Sequence, residues 1–162
     1  MKNYEEEFLI GAKMLVNGSY QSAISHIENA LFSAKLDGLN LMDDIFETGY
    51  FNLGQAKKAT GDYKGAINYY QQALKINPTR FENAYLYISD CCFELDTQQS
   101  ISIAITNLNS CTKYFPKNDE AFMNKGIAYL KLGDRSNAKS AFDSAKLLGN
   151  NDADKFIIDY CD

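Results

Sequence analysis

The chain has no tryptophan, one histidine and two prolines among its 162 residues. It also lacks a basic excess: 16 lysines and arginines face 21 acidic residues, a formal net charge of −5. Each shortage excludes something. Scarce proline and the lack of any low-complexity tract argue against long disordered segments. A negative balance without a basic stripe removes nucleic acid and anionic membrane as default partners. No apolar run approaches the ~20 residues of a membrane span. The opening MKNYEEEFLIG sets three glutamates where a secretory signal needs cations and an apolar core, so a cytoplasmic location is expected.

A single histidine leaves little room for catalysis. His26 is expected on a helix among Ser25 and Glu28, facing solvent. A nucleophilic triad needs nucleophile and base brought together, and one outward histidine does not begin one. No phosphate-cradling glycine loop, H-E-x-x-H or EF-hand loop is present. Asp43-Asp44 and Glu5-Glu6-Glu7 are neighbours on helices, where side chains diverge, so they read as solvated faces and N-terminal dipole partners. Neither enzyme activity nor any cofactor or metal is expected. The four cysteines, Cys91, Cys92, Cys111 and Cys161, make no C-x-x-C spacing. They read as small core hydrophobes. Redox or thiophilic-metal sensing by the adjacent Cys91-Cys92 pair is the alternative.

What the chain has instead is repetition. Its clearest unit is Glu47–Arg80, ETGYFNLGQAKKATGDYKGAINYYQQALKINPTR, and a second good copy spans Asp119–Asp152. A small residue recurs in the first helix of each unit: Gly11, Gly54, Ser89, Gly126. A turn follows, then Ala23, Ala66, Ala104 and Ala138, and seven residues later Ala30, Ala73, Cys111 and Ala145. Between the small residues sit Ile27, Tyr70, Leu108 and Phe142. Antiparallel helices approach closely only where small side chains meet, and a large residue between them fills the space to the next hairpin. Gly61 and Gly133 suit left-handed C-caps, Asp62 and Asp134 suit N-caps, and Pro78 and Pro116 stop second helices. Many of the eleven tyrosines and ten phenylalanines fall on these packing positions, which argues against a base-stacking platform.

This pattern resembles the tetratricopeptide repeat, a helix-turn-helix unit of 34 residues. Tyr50, Leu53, Gly54, Gly61, Tyr63, Ala66, Tyr70, Ala73 and Pro78 carry the resemblance in the best unit. Lys57 and Lys125 stand where the pattern has an aromatic and an apolar residue, and are expected to lay their stems on apolar surface with the amine wet. The resemblance implies an all-α fold: a right-handed α-solenoid of four hairpins plus a C-terminal capping helix, nine helices in one domain over 1–162. The repeats are expected at about 4–37, 47–80, 82–118 and 119–152, with the cap at 152–161.

Two copies are stretched. Ala23 and Ala66 stand 43 positions apart, nine beyond the period. Met42, Ile45, Phe46, Gly49, Tyr50 and Leu53 keep a spacing of three and four, which predicts a long helix from about Asn40 to Thr60. The other surplus, Asp96-Thr97-Gln98-Gln99-Ser100, predicts an enlarged, exposed polar turn.

The family resemblance implies that first helices line an inner groove for a peptide. On that expectation the groove holds Phe8, Leu9, Ala12 and Leu15; Phe51, Asn52, Gln55 and Lys58; Leu86, Tyr87, Asp90 and Phe93; and Met123, Asn124, Ile127 and Leu130. It is mostly apolar, with Asn52, Gln55 and Asn124 able to bond a backbone. Family members that grip a heat-shock chaperone's terminal carboxylate use groove cations. Those positions here carry Phe8, Asn83 and Tyr87 in one register and Phe51, Glu120 and Asn124 in the other, so no such binding is expected. The implied function is a non-catalytic scaffold or adaptor for a protein or peptide with an apolar segment. The alternatives are a homodimer through the stack edge or the long second-repeat helix, or a secretion-type chaperone for a protein client.

Overall fold

The computed structural model describes residues 2–41 and 43–161. Met1, Met42 and Asp162, which belong to the expected domain and, for Met42, to the expected long helix, lie outside the described residues. Among the described residues there are nine helices and no strand. They are α1 (Asn3–Val16), α2 (Tyr20–Leu36), α3 (Asp44–Ala59), α4 (Tyr63–Ile76), α5 (Glu82–Leu95), α6 (Gln98–Tyr114), α7 (Asp119–Lys131), α8 (Arg135–Leu147) and α9 (Ala153–Tyr160). The chain groups into two compact units, 1–84 and 85–162.

In the first unit, α1 packs on α2, α3 on α4, and α2 on α3. The hairpin crossings form where glycine removes a side chain. A Cβ on Gly11 would sit 2.6 Å from Ile27 Cγ1, and one on Gly54 would sit 2.6 Å from the Tyr70 ring. The predicted small-against-large pairing is thus a physical contact in both hairpins. Gly49 serves the same purpose between α2 and α3, against Leu31. The core gathers Tyr4, Ile24, Ile27, Leu31, Ala34, Phe46, Leu53 and Ala56. The turn into α4 is built as expected. Gly61 takes φ +79, a conformation that costs a side-chain-bearing residue free energy. The Asp62 carboxylate then accepts the Gly65 N–H at 2.9 Å.

The second unit repeats the scheme between α7 and α8, where Phe142 fills the space left by Gly126. Its core joins Met123, Ala138, Phe142, Ala145, Ala153 and Ile157. The last two residues come from α9, and Phe156 of α9 lies 5.2 Å from Phe142, ring to ring. The expected cap is therefore present. Tyr85 of α5 packs against Tyr114 and Phe115 at the end of α6.

Two boundaries differ from expectation. The helix predicted from Asn40 begins at Asp44. Leu39 N–H is bonded back to Ala34 O, Asn40 N–H to the Asp43 carboxylate at 2.9 Å, and Asp43 is extended with ψ 145. Local polar bonding to Asp43 outcompetes the helix that apolar spacing suggested. At 96–100 the turn is tight instead of enlarged. Asp96 adopts φ 44, and Thr97 and Ser100 cap each other reciprocally, each backbone N–H donating to the other's hydroxyl at 3.0 Å. The surplus residues enter a 17-residue α6, and Ser100 is buried with its hydroxyl donating to Cys92 O at 2.9 Å.

Candidate functional site

The inner-face residues form two sets, one per unit. In the first, Phe8 and Ala12 of α1 come together with Ile45 and Thr48 of α3 around a cleft of about 530 Å³. Tyr4, Glu5, Leu9 and Asp44 complete its lining. Tyr4, Phe8 and Ala12 are spaced by four, so one stripe of α1 supplies most of the apolar wall. Phe8 and Ile45 are half-buried and Leu9 is 47% exposed, so the wall is accessible. Sequence reasoning named Phe8, Leu9 and Ala12 but missed Tyr4, Ile45 and Thr48. The Tyr4-Phe8-Ala12 spacing was the available signal on α1. Ile45 and Thr48 lie seven and four residues before Asn52, so the same face of α3 carried the signal for them.

Other expected groove residues are engaged in packing. Phe51 stacks on Phe81 with centroids 4.3 Å apart and planes 9° from parallel, and lies against Tyr70 at 5.7 Å. Asn52, Gln55 and Lys58 are half-buried along α3. Leu15 packs on the first core. In the second unit Leu86 and Met123 are each only 7% exposed, and Ile127 and Leu130 pack against the core. Tyr87, Asp90 and Phe93 are half-buried. Asn124 donates its side-chain N–H to Ser89 Oγ at 3.2 Å, and Ser89 donates to Leu86 O at 2.7 Å. Asn124 thus ties α7 to α5.

The first turn of α3 carries an ion cluster. Glu47 is buried, 2% exposed, and Arg80 reaches its Oε2 at 3.4 Å and Asp44 Oδ1 at 3.3 Å. Glu47 Oε1 is buried without a hydrogen-bond partner among the described residues. His26 is not solvent-facing as expected. Its Nδ1 lies 2.7 Å from Glu7 Oε2, half-buried between α1 and α2, because Glu7 projects from the facing helix. Cys91, Cys92 and Cys111 are buried, and burial pushes the Cys92 thiol up to about 12, with Cys91 adding to the shift. A thiolate is disfavoured at Cys92. Burial also lowers the Lys125 amine from its ordinary value, consistent with a stem laid on apolar surface.

The helical-repeat architecture and the glycine crossings define a class, the all-α helical-repeat proteins. Within it, residues 48–80 and 119–152 each match the tetratricopeptide repeat. The chain thus carries tetratricopeptide repeats over these two segments. A comparison with curated proteins finds no match. Among solved structures, a tetratricopeptide repeat protein of Parabacteroides merdae is 19% identical with a TM-score of 0.74. The match covers 92% of this chain and 54% of that one, so the chain spans about half of that relative. MamA of Desulfovibrio magneticus is 19% identical with a TM-score of 0.72, covering 92% of this chain and 77% of that one. YrrB, described as having an unusual peptide-binding site, is 22% identical with a TM-score of 0.68, covering 87% and 66%. These likenesses establish the fold. Tetratricopeptide repeats indicate protein–protein interaction in general. No helix among the described residues is long and apolar enough to cross a membrane.

Proposed function

We propose that this chain is a non-catalytic interaction scaffold that holds a peptide or protein segment on the inner face of the first helices of its first unit. The observation that carries this is the apolar cleft between α1 and α3, lined by Phe8, Leu9, Ala12 and Ile45. An accessible apolar hollow with few polar groups is the usual form of a peptide anchor pocket. In this reading the segment seats an apolar side chain there and meets Asn52 and Gln55 further along α3. Phe51 shapes this face, and in the second unit Tyr87, Asp90, Asn124 and Ile127 are the half-buried members of a separate inner face that also includes Leu86 and Met123. Groove positions that would need cations carry none, so a chaperone's C-terminal carboxylate is not its ligand.

The test is capture of a partner by affinity purification from cells, repeated with Ala12→Arg and Gln55→Glu. Ala12 is half-buried at the cleft edge, so the arginine blocks the cleft without entering the core. Loss of capture with retained helicity supports the groove, and unaltered capture removes it. In calorimetry, micromolar binding of a heat-shock chaperone C-terminal peptide would refute the carboxylate statement.

A further inference from the structure

Two of the most exposed apolar side chains of the first unit share one face. Phe32 is 65% exposed and Leu36 is 71% exposed, four residues apart on α2. That spacing makes them vertical neighbours, and exposed Ser25, seven residues before Phe32, continues the stripe. The buried arc of the same helix, Ala23, Ile24, Ile27, Ala30, Leu31 and Ala34, points the other way. At 3.6 residues per turn, Glu28 and Lys35 lie on one flank of the stripe, about a turn before and a turn after Phe32. Both are exposed.

We propose that this face of α2 pairs with the same face of a second copy of the chain, antiparallel about a two-fold axis at Phe32. Under such an axis residue i meets j and j meets i. Glu28 of each copy then comes opposite Lys35 of the partner subunit, so one flank closes two ion pairs. On the stripe, the two Phe32 rings meet, and each Leu36 lies beside them against the exposed Asn29 of the partner subunit. The face is complementary to itself in charge. Glu28 is also fixed in place, because Tyr69 of α4 donates its hydroxyl to Glu28 Oε1 at 3.0 Å. Two large apolar side chains per copy fall well short of the roughly 800 Å² per partner of a stable interface, so the pair forms only at high concentration. It leaves the cleft between α1 and α3 open, so its fate is independent of the scaffold reading.

Analytical ultracentrifugation of the full chain from micromolar to millimolar concentration tests it. The average mass is expected to rise with concentration, and Phe32→Ser to abolish the rise. Glu28→Lys or Lys35→Glu alone sets like charges opposite each other twice, and is expected to weaken association about tenfold. The two together exchange the signs and restore it. Far-UV circular dichroism checks that these surface variants stay folded. A monomer at every concentration overturns the proposal. Association that survives Phe32→Ser, or a double variant no better than the singles, overturns it equally.

Discussion

The hairpins α3–α4 and α7–α8 are one design executed twice with different residues. Each crosses at a glycine under an aromatic ring, Gly54 under Tyr70 and Gly126 under Phe142. Each ties the first turn of its first helix to a residue near the end of the unit. In the first, buried Glu47 meets Arg80; in the second, Asp119 accepts from Asn150 at 2.8 Å. Just before the glycine, the first has Leu53 at 1% exposure and the second has half-buried Lys125. The crossing admits almost no variation because backbone separation depends on it. The tie needs only a partner within reach, so an ion pair and a hydrogen bond from a neutral amide to a carboxylate both serve. The apolar position tolerates lysine because a long stem can reach solvent.

This contrast can be broken experimentally, and urea unfolding followed by far-UV circular dichroism suits a chain without tryptophan. The largest effect is expected at the charged tie. Arg80→Ala leaves the Glu47 carboxylate buried with no counter-charge, a loss of about 3 kcal/mol. Asn150→Ala, which removes a neutral amide donor from the half-buried Asp119 carboxylate, is expected to cost about 1 kcal/mol. Equal losses would show that the charge on Glu47 does not matter. Next come the crossings. Gly54→Ala and Gly126→Ala each force a ring to move, and about 2 kcal/mol of overpacking remains after the helix preference for alanine is counted. Gly126 has the closer contact and is expected to suffer at least as much.

Smaller effects follow at the solvent edge. Lys125→Leu restores the residue type of the first hairpin and is expected to stabilise by about 1 kcal/mol. The capping carboxylates supply a pH test. The Gly65 N–H and then Lys57 hold the Asp62 carboxyl below its ordinary value, and the Asn137 side chain and backbone do the same for Asp134. A folded value below the unfolded one, near 3.9, gives stability that is complete above the unfolded value. It is lost as pH falls through the folded value. Asp62→Asn and Asp134→Asn keep a cap, so neutral-pH stability should barely change while the acid limb flattens. An unchanged acid limb would show that other carboxylates control it.

Much of the fold was legible because the repeat is a local code. Glycine, aspartate and alanine at fixed offsets specify a turn, a cap and a crossing, and these appear at Gly54, Gly61, Asp62 and Tyr70 as expected. Legibility failed where two local signals competed. Apolar spacing argued for a helix from Asn40, and the Asp43 side chain's bond to Asn40 N–H ended that prospect. The Thr97-Ser100 box likewise looked like polar loop, although reciprocal capping is a way to begin a helix. The site was less legible than the fold. Phe8 and Ala12 were expected from the family resemblance, and Ile45 and Thr48 join them because α3 packs back on α1.

By itself the sequence determined the helices, their pairing into hairpins and the residues at each crossing, because those depend on neighbours within about a repeat. The tertiary structure decided which inner-face residues remain open. Phe51 is covered by Phe81, Asn124 is held by Ser89 across 35 positions, and His26 is drawn to Glu7 on the facing helix. Availability depends on partners supplied by other helices, and no pattern along a single helix carries that information.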